Sequence, residues 1–178
     1  MSEIYLGNPN LKKANTPIQF SAEQIEEFLK CKNDPVYFAQ KYVKIVSLDE
    51  GLVPFQPYKF QEKLIKRFHK NRFNICKMPR QTGKSTTVVS YLLHYAVFND
   101  SVNIGILANK AATARELLGR LQTAYENLPK WMQQGVLVWN RGSLELENGS
   151  KILAASTSAS AVRGMSFNIL FLDEFAFV

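Results

Sequence analysis

Cysteine is nearly absent from this chain: Cys31 and Cys76 are the two thiols in 178 residues. Two thiols make neither a disulfide framework nor a four-ligand zinc site, and they fit a reducing, intracellular setting. Long apolar runs are missing as well. The longest, Val88–Phe98, is broken by Ser90 and His94, and crossing a bilayer takes about 20 apolar residues. The opening residues MSEIYLGNPNLKK hold no apolar core of the kind a secretion signal needs. Histidine occurs twice, at His69 and His94, and neither has a metal-ligand partner at a suitable spacing. No repeat and no low-complexity segment is present. What remains is globular: 46% hydrophobic and 21% charged residues, in a length suited to one domain. Such a domain buries roughly 70% of its unfolded surface, enough for a real core.

Charge is distributed unevenly. The net charge is +7. Residues 1–84 hold 15 basic and 8 acidic residues, and residues 85–178 hold 7 of each. The excess is densest from Lys59 to Lys84, with nine basic residues against one acid, Glu62. A solvated helix face followed by a loop would account for this. So would a surface for polyanions, either nucleotide phosphates or DNA, to which Lys12, Lys13 and the basic helix at 59–72 are open.

Periodicity supplies the elements. Residues 1–20 read as an extended arm. Ser21 and Gln24 have the spacing of a capping box, and Ile25, Phe28 and Leu29 follow on one helical face. Asp34-Pro35 opens a second helix running to about Val43. Gly51–Pro57 reads as a loop. Phe60, Leu64, Ile65 and Phe68 mark a third helix with lysines on its other faces. The pattern then alternates. Phe73–Met78 predicts a strand with Cys76 buried in it, Pro79–Gly83 a loop, and Lys84 to about Phe98 an apolar helix. Val102–Ala108 predicts a strand, and Ala111–Leu128 a helix stopped by Pro129. Leu144–Leu146 and Lys151–Ala154 flank Asn148-Gly149, a hairpin signal. Trp131 and Trp139 are expected to pack beside this hairpin. Ile169–Leu172 is a further short strand. Strands alternating with helices predict a mostly parallel sheet covered on both faces.

Two places carry chemistry. Met78-Pro-Arg-Gln-Thr-Gly-Lys-Ser85 matches the last three positions of the phosphate-loop pattern G-x-x-x-x-G-K-[ST], with Met78 in place of the first glycine. Its physical needs are still met. Gly83 permits a tight turn, a helix starts at once, and its first amides can face phosphate oxygens. Lys84 can reach the β- and γ-phosphates, and the Ser85 hydroxyl suits Mg²⁺. The second place is Ile169-Leu-Phe-Leu-Asp-Glu174, four apolar residues ending in two carboxylates. A strand simply reaching the surface would look the same. Taken with the loop it reads as a Walker B element, with Asp173 in the Mg²⁺ shell and Glu174 orienting the attacking water. The fold class that follows is α/β, a P-loop NTPase of the RecA-like, additional-strand type with a helical N-terminal addition. Its division is an N-terminal arm and helices at 1–58 and a P-loop core at 59–178.

The loop, with Arg80 early and the first glycine missing, resembles the deviant Walker A of terminase large subunits, the DNA-packaging motors of tailed bacteriophages. Pro9–Lys12, Val36–Ala39, Asn103–Ala108, Leu144–Ser150 and Ala161–Gly164 also resemble the T-even-like members, so the likeness spans nearly the whole chain. The resemblance implies an ATPase that drives double-stranded DNA into a procapsid in the host cytoplasm, with ATP and Mg²⁺. It implies the portal protein and the small terminase subunit as partners, and a homo-oligomeric ring. By the same resemblance Arg80 contacts phosphate, within a binding loop of Pro79, Arg80, Gln81, Thr82, Gly83, Lys84, Ser85 and Thr86. Phe60 and Gln61 stand where the family has an aromatic–Gln pair for adenine. Arg163 is a finger candidate completing a neighbour's site; a loop arginine paired locally is the plain alternative.

The family also has a coupling motif after Walker B, further strands and a nuclease domain, none of which follows Glu174 here. The expectation is a fragment, truncated after the Walker B strand, that binds nucleotide weakly and hydrolyses it poorly. Two other functions stay open: a helicase-like P-loop ATPase acting on nucleic acid, and a truncated, non-catalytic DNA- or portal-binding module.

Overall fold

The computed structural model describes residues 3–47, 49–158 and 164–174. The chain opens with an antiparallel hairpin, β1 (Ile4–Tyr5) and β2 (Asn8–Lys12), where an extended arm was expected. Burial explains the difference: Leu11 enters the core, and Lys12 pairs with Glu147 at 2.8 Å. Two caps then act as the sequence predicts. At α1 (Ala22–Asn33) the Ser21 hydroxyl accepts from the Gln24 amide at 3.2 Å, and the Gln24 side chain accepts from the Ser21 amide at 3.1 Å. At α2 (Pro35–Tyr42) the Asp34 carboxylate accepts from the amides of Val36 and Tyr37. The stretch expected as loop carries a second hairpin, β3 (Lys44–Ser47) and β4 (Gly51–Pro54).

The third helix is α3 (Lys59–Lys70), followed by the buried α4 (Lys84–Phe98). Between them the expected strand at Phe73–Met78 does not form. Those residues are largely exposed, Ile75 at 99%, and Cys76 is only half-buried. An apolar alternation becomes a strand only beside a partner, and none pairs with it among the described residues.

The remaining elements are β5 (Asn103–Ala108), α5 (Ala111–Glu126), β6 (Val136–Trp139), β7 (Ser143–Leu146), β8 (Lys151–Ser156) and β9 (Ile169–Leu172). They build one five-stranded sheet in the order β6-β7-β8-β5-β9. β5 runs parallel to β8 and β9, while β6, β7 and β8 are antiparallel neighbours. The sheet is therefore mixed, which corrects the mostly parallel expectation. The cause is local: Asn148-Gly149 turns β7 back on β8, and β6 adds a further antiparallel strand outside it. Among the described residues, cover is also one-sided where β9 lies. Ile104, Ile106, Ile169 and Phe171 pack into the core with Leu117 and Leu118 of α5. Leu170, on the opposite face of β9, stays 48% exposed.

Residues on both sides of position 58 share one buried cluster, in which Leu11, Phe38 and Val43 lie with Leu92, Leu93 and Leu118. Fully burying one such side chain stabilises by about 1.5–3 kcal/mol. Trp131 packs edge-on against Tyr42, and Trp139 packs on Tyr125. Two ties fix the sheet to its surroundings. Glu147 accepts from Lys12 and from the amides of Asn15 and Gly135. Burial alone would raise its carboxyl pKa, but these donors hold it below the usual carboxylate value. Asn148 donates to the carbonyls of Ala96 and Asn99 at 2.9 Å, so the β7–β8 turn satisfies the C-terminal end of α4. No helix of the described residues is long and apolar enough to cross a membrane.

Candidate functional site

Gly83 is the N-cap of α4 in a left-handed conformation, φ 71° and ψ 19°. Gln81 two residues earlier is also left-handed, at φ 61°. A non-glycine residue there costs roughly 1–2 kcal/mol, which the surrounding loop must offset. The loop does so by closing on itself: the Thr82 hydroxyl donates to the Pro79 carbonyl at 3.0 Å. The helix begins on the Gly83 carbonyl, which accepts both the amide and the hydroxyl of Thr87, at 3.0 and 2.9 Å.

Lys84, Ser85 and Thr86 form the first helical turn and are half-buried. Their amides have no acceptor within the helix and lie at the positive end of its dipole. Pro79, Arg80 and Gln81 are exposed. Among the described residues neither Arg80 nor Lys84 enters an ion pair. Two uncommitted cations beside free amides make a setting for an anion. Lys84 also acts on Cys76. Burial pushes that thiol up, and Lys84 and Arg67 pull partly against it.

The carboxylates stand at the end of β9. The Asp173 amide donates to Leu107 at 2.8 Å, one residue past the strand, and Asp173 is half-buried. Glu174 is exposed and left-handed at φ 52°. Among the described residues no hydrogen bond or ion pair joins Asp173 or Glu174 to the loop, and no cluster of three His, Cys, Asp or Glu exists. A metal ion here would draw on the Ser85 hydroxyl and the Asp173 carboxylate, hard oxygen donors of the kind Mg²⁺ takes.

Gln61 is brought to the loop. It is 3% exposed, and its Nε2 lies 3.4 Å from the carbonyl oxygens of both Thr82 and Gly83. Sequence reasoning marked Gln61 but missed this tie, as it missed the bonds Thr82 and Thr87 make. The only trace of them in the chain is the run of threonines flanking Gly83. Phe60 is 41% exposed and stacks on exposed Tyr58, with ring centres 5.8 Å apart and 13° between planes. Arg163 lies outside the described residues.

Along α3, Lys59, Lys63, Lys66, Arg67 and Lys70 are exposed and free of ion pairs among the described residues. Lys12 is not free: it is buried in its pair with Glu147. His94 is buried, with Nε2 2.9 Å from the Cys31 carbonyl.

Residues 75–178 match the family described as terminase large subunit, T4-like-virus type, N-terminal. The crystal structure of the HK97 bacteriophage large terminase is similar over 79% of this chain, with TM-score 0.66 and 18% identity. At that identity the likeness is one of fold. The chain spans 30% of that protein's length.

Proposed function

The chain belongs to the family of T4-like-virus-type terminase large subunits, in its N-terminal part, and from that premise we propose that it is the ATP-hydrolysing part of a motor moving double-stranded DNA into a procapsid. One observation carries the reading. Left-handed Gly83 caps a buried helix whose first residues are Lys84 and Ser85, and the amides there have no acceptor within the helix.

In this reading Lys84 and Arg80 neutralise phosphate oxygens, and the amides from Gly83 to Thr86 cradle them. Pro79, Gln81 and Thr82 shape the loop around the phosphates. Exposed Phe60 offers a face to the base. Ser85 and Asp173 would hold Mg²⁺, and the ion would supply positive charge against the phosphate oxygens. Glu174 accepts a hydrogen bond from the attacking water and aims it at the γ-phosphorus, while Lys84 stabilises the charge that develops. Arg163 supplies a positive charge to a neighbouring subunit's site in a ring. The unpaired basic face of α3 suits a polyanion, here DNA. The portal, the small terminase subunit and the host cytoplasm complete the setting. Turnover by this chain alone is slow, because β9 has a neighbour on one side only among the described residues and the stretch leading into the loop is unpaired.

Calorimetry of ATP binding with Mg²⁺, on this chain and on Lys84→Ala, tests the proposal, with hydrolysis followed in the same samples. Binding that Lys84→Ala removes is expected. Equal affinity in both chains would overturn the phosphate assignment.

A further inference from the structure

We propose that the outer face of α3 grips duplex DNA along the backbone of one strand, through a row of four lysines, Lys59, Lys63, Lys66 and Lys70, without reading base sequence. The inference deepens the DNA part of the reading above and rests on it.

The row follows from helical spacing. Steps of four, three and four residues keep all four side chains within about 60° of one another around the helix axis. Gln61 and Ile65, the buried residues of α3, lie on the opposite side. At 1.5 Å per residue the row is about 16 Å long. All four lysines are exposed and without an ion pair among the described residues. One acid is spaced to neutralise them. Glu62 stands four residues before Lys66, the separation of a helix ion pair. Its carboxylate instead accepts from the Gln40 side chain of α2 at 3.0 Å.

Helix stability does not account for this arrangement. Neighbours in the row are three or four residues apart, where like charges destabilise a helix. Lys59 also opens α3, at the positive end of its dipole, where a cation is disfavoured. Cations elsewhere on the surface are matched. Arg120 of α5 pairs with Glu116 at 2.6 Å, and Lys41 of α2 pairs with Glu27 at 2.8 Å. A straight row that repels itself is relieved by a linear polyanion. Each strand of duplex DNA carries a phosphate per about 3.4 Å of axis, so about five lie along this length, enough for one per lysine. Lysine is a point charge suited to phosphate, and the row holds no Arg, Asn or Gln to read a base edge.

The test is fluorescence anisotropy of two labelled duplexes of unrelated sequence, titrated with the nucleotide-free 178-residue chain at about 50 to 200 mM salt. Lys63→Ala/Lys66→Ala breaks the middle of the row. Lys30→Ala/Lys32→Ala removes the same charge from exposed positions of α1. Four contacts predict a slope of log affinity on log salt of about −3.6. The α3 variant should flatten it by about 1.8 and bind both duplexes about tenfold or more weakly, while the α1 variant matches the parent. Equal losses in the two variants would reduce the effect to net charge and overturn the row. So would a loss on one sequence only, or no binding by the parent. Displacement of the duplex by polyglutamate at equal charge would also overturn it, in favour of an acidic protein partner. The α3 variant should unfold no earlier than the parent on heating, since it loses like-charge contacts; earlier unfolding would make the lysines structural and refute the assignment. ATP calorimetry on the parent scores the nucleotide site separately. DNA binding without ATP binding keeps the row and removes the phosphate-loop assignment, and ATP binding without DNA binding does the reverse.

Discussion

The C-terminal half of α4 presents Leu92, Leu93, Ala96 and Val97 to the core, with Phe98 packed against Phe28, Phe38 and His94. At the other end of the same helix Lys84, Ser85 and Thr86 are half-buried. The contrast shows how one element serves two needs. Packing of the far half holds the helix, so the near end can keep polar groups and amides uncommitted without losing its place. Rigid support with a free terminus is what electrostatic recognition of an anion requires.

Substitutions along α4 should grade accordingly. Phe98→Ala is expected to cost the most, about 3–5 kcal/mol by urea unfolding, because it opens a cavity in the aromatic cluster. Acid should come next, through His94. Burial pushes its pKa down to about 4, with the imidazole Nε2 2.9 Å from the Cys31 carbonyl. The unfolded chain takes up that proton first, near the ordinary value of 6.5. Stability is thus full above that pH and declines by up to about 3 kcal/mol as pH falls to about 4. Unfolding midpoints at pH 7 and pH 5 check this, and His94→Leu should remove most of the slope between them. A slope unchanged in His94→Leu would place the titration elsewhere.

Gly83→Ala sits at the boundary between the two halves. Left-handed backbone makes it about 1–2 kcal/mol less stable, and its methyl displaces Gln61. Ser85→Ala should be the mildest, within about 0.5 kcal/mol of the parent in thermal unfolding, while lowering Mg²⁺-dependent ATP affinity. If Ser85→Ala destabilised as much as Phe98→Ala, the two ends of α4 would not differ in the way described.

Much of this was legible in the sequence. The caps at Ser21 and Asp34, the helix from Lys84, the turn at Asn148-Gly149 and the strand before Asp173 all follow from local chemistry that tertiary contacts do not override. What failed depended on distant partners. Phe73–Met78 has the alternation of a strand but no neighbour among the described residues. Residues 8–12 look like an arm until Glu147 and Val136 meet Lys12 and Lys13 from more than a hundred residues away. β6 is rich in Val and Trp yet was missed, since four residues give too short a pattern to tell strand from loop. The positions of Gly83, Lys84 and Ser85 at the start of α4 and of Asp173 just past β9 were readable because they sit at element ends. The engagement of Gln61 was not, because spacing along a chain says nothing about which carbonyls an amide finds across two helices.

The bond from Asn148 to the last carbonyls of α4 has a mechanical consequence. A helix of 15 residues is about 22 Å long. Held at its C-terminus by the β7–β8 turn and met at its N-terminus by Gln61, it is a strut between the hairpin and the loop at Gly83. A tilt of about 3° about the C-terminal tie would carry the Gly83 end roughly 1 Å over this length. Strain applied to the hairpin would thus be felt at the loop, where it acts on the long contacts to Gln61.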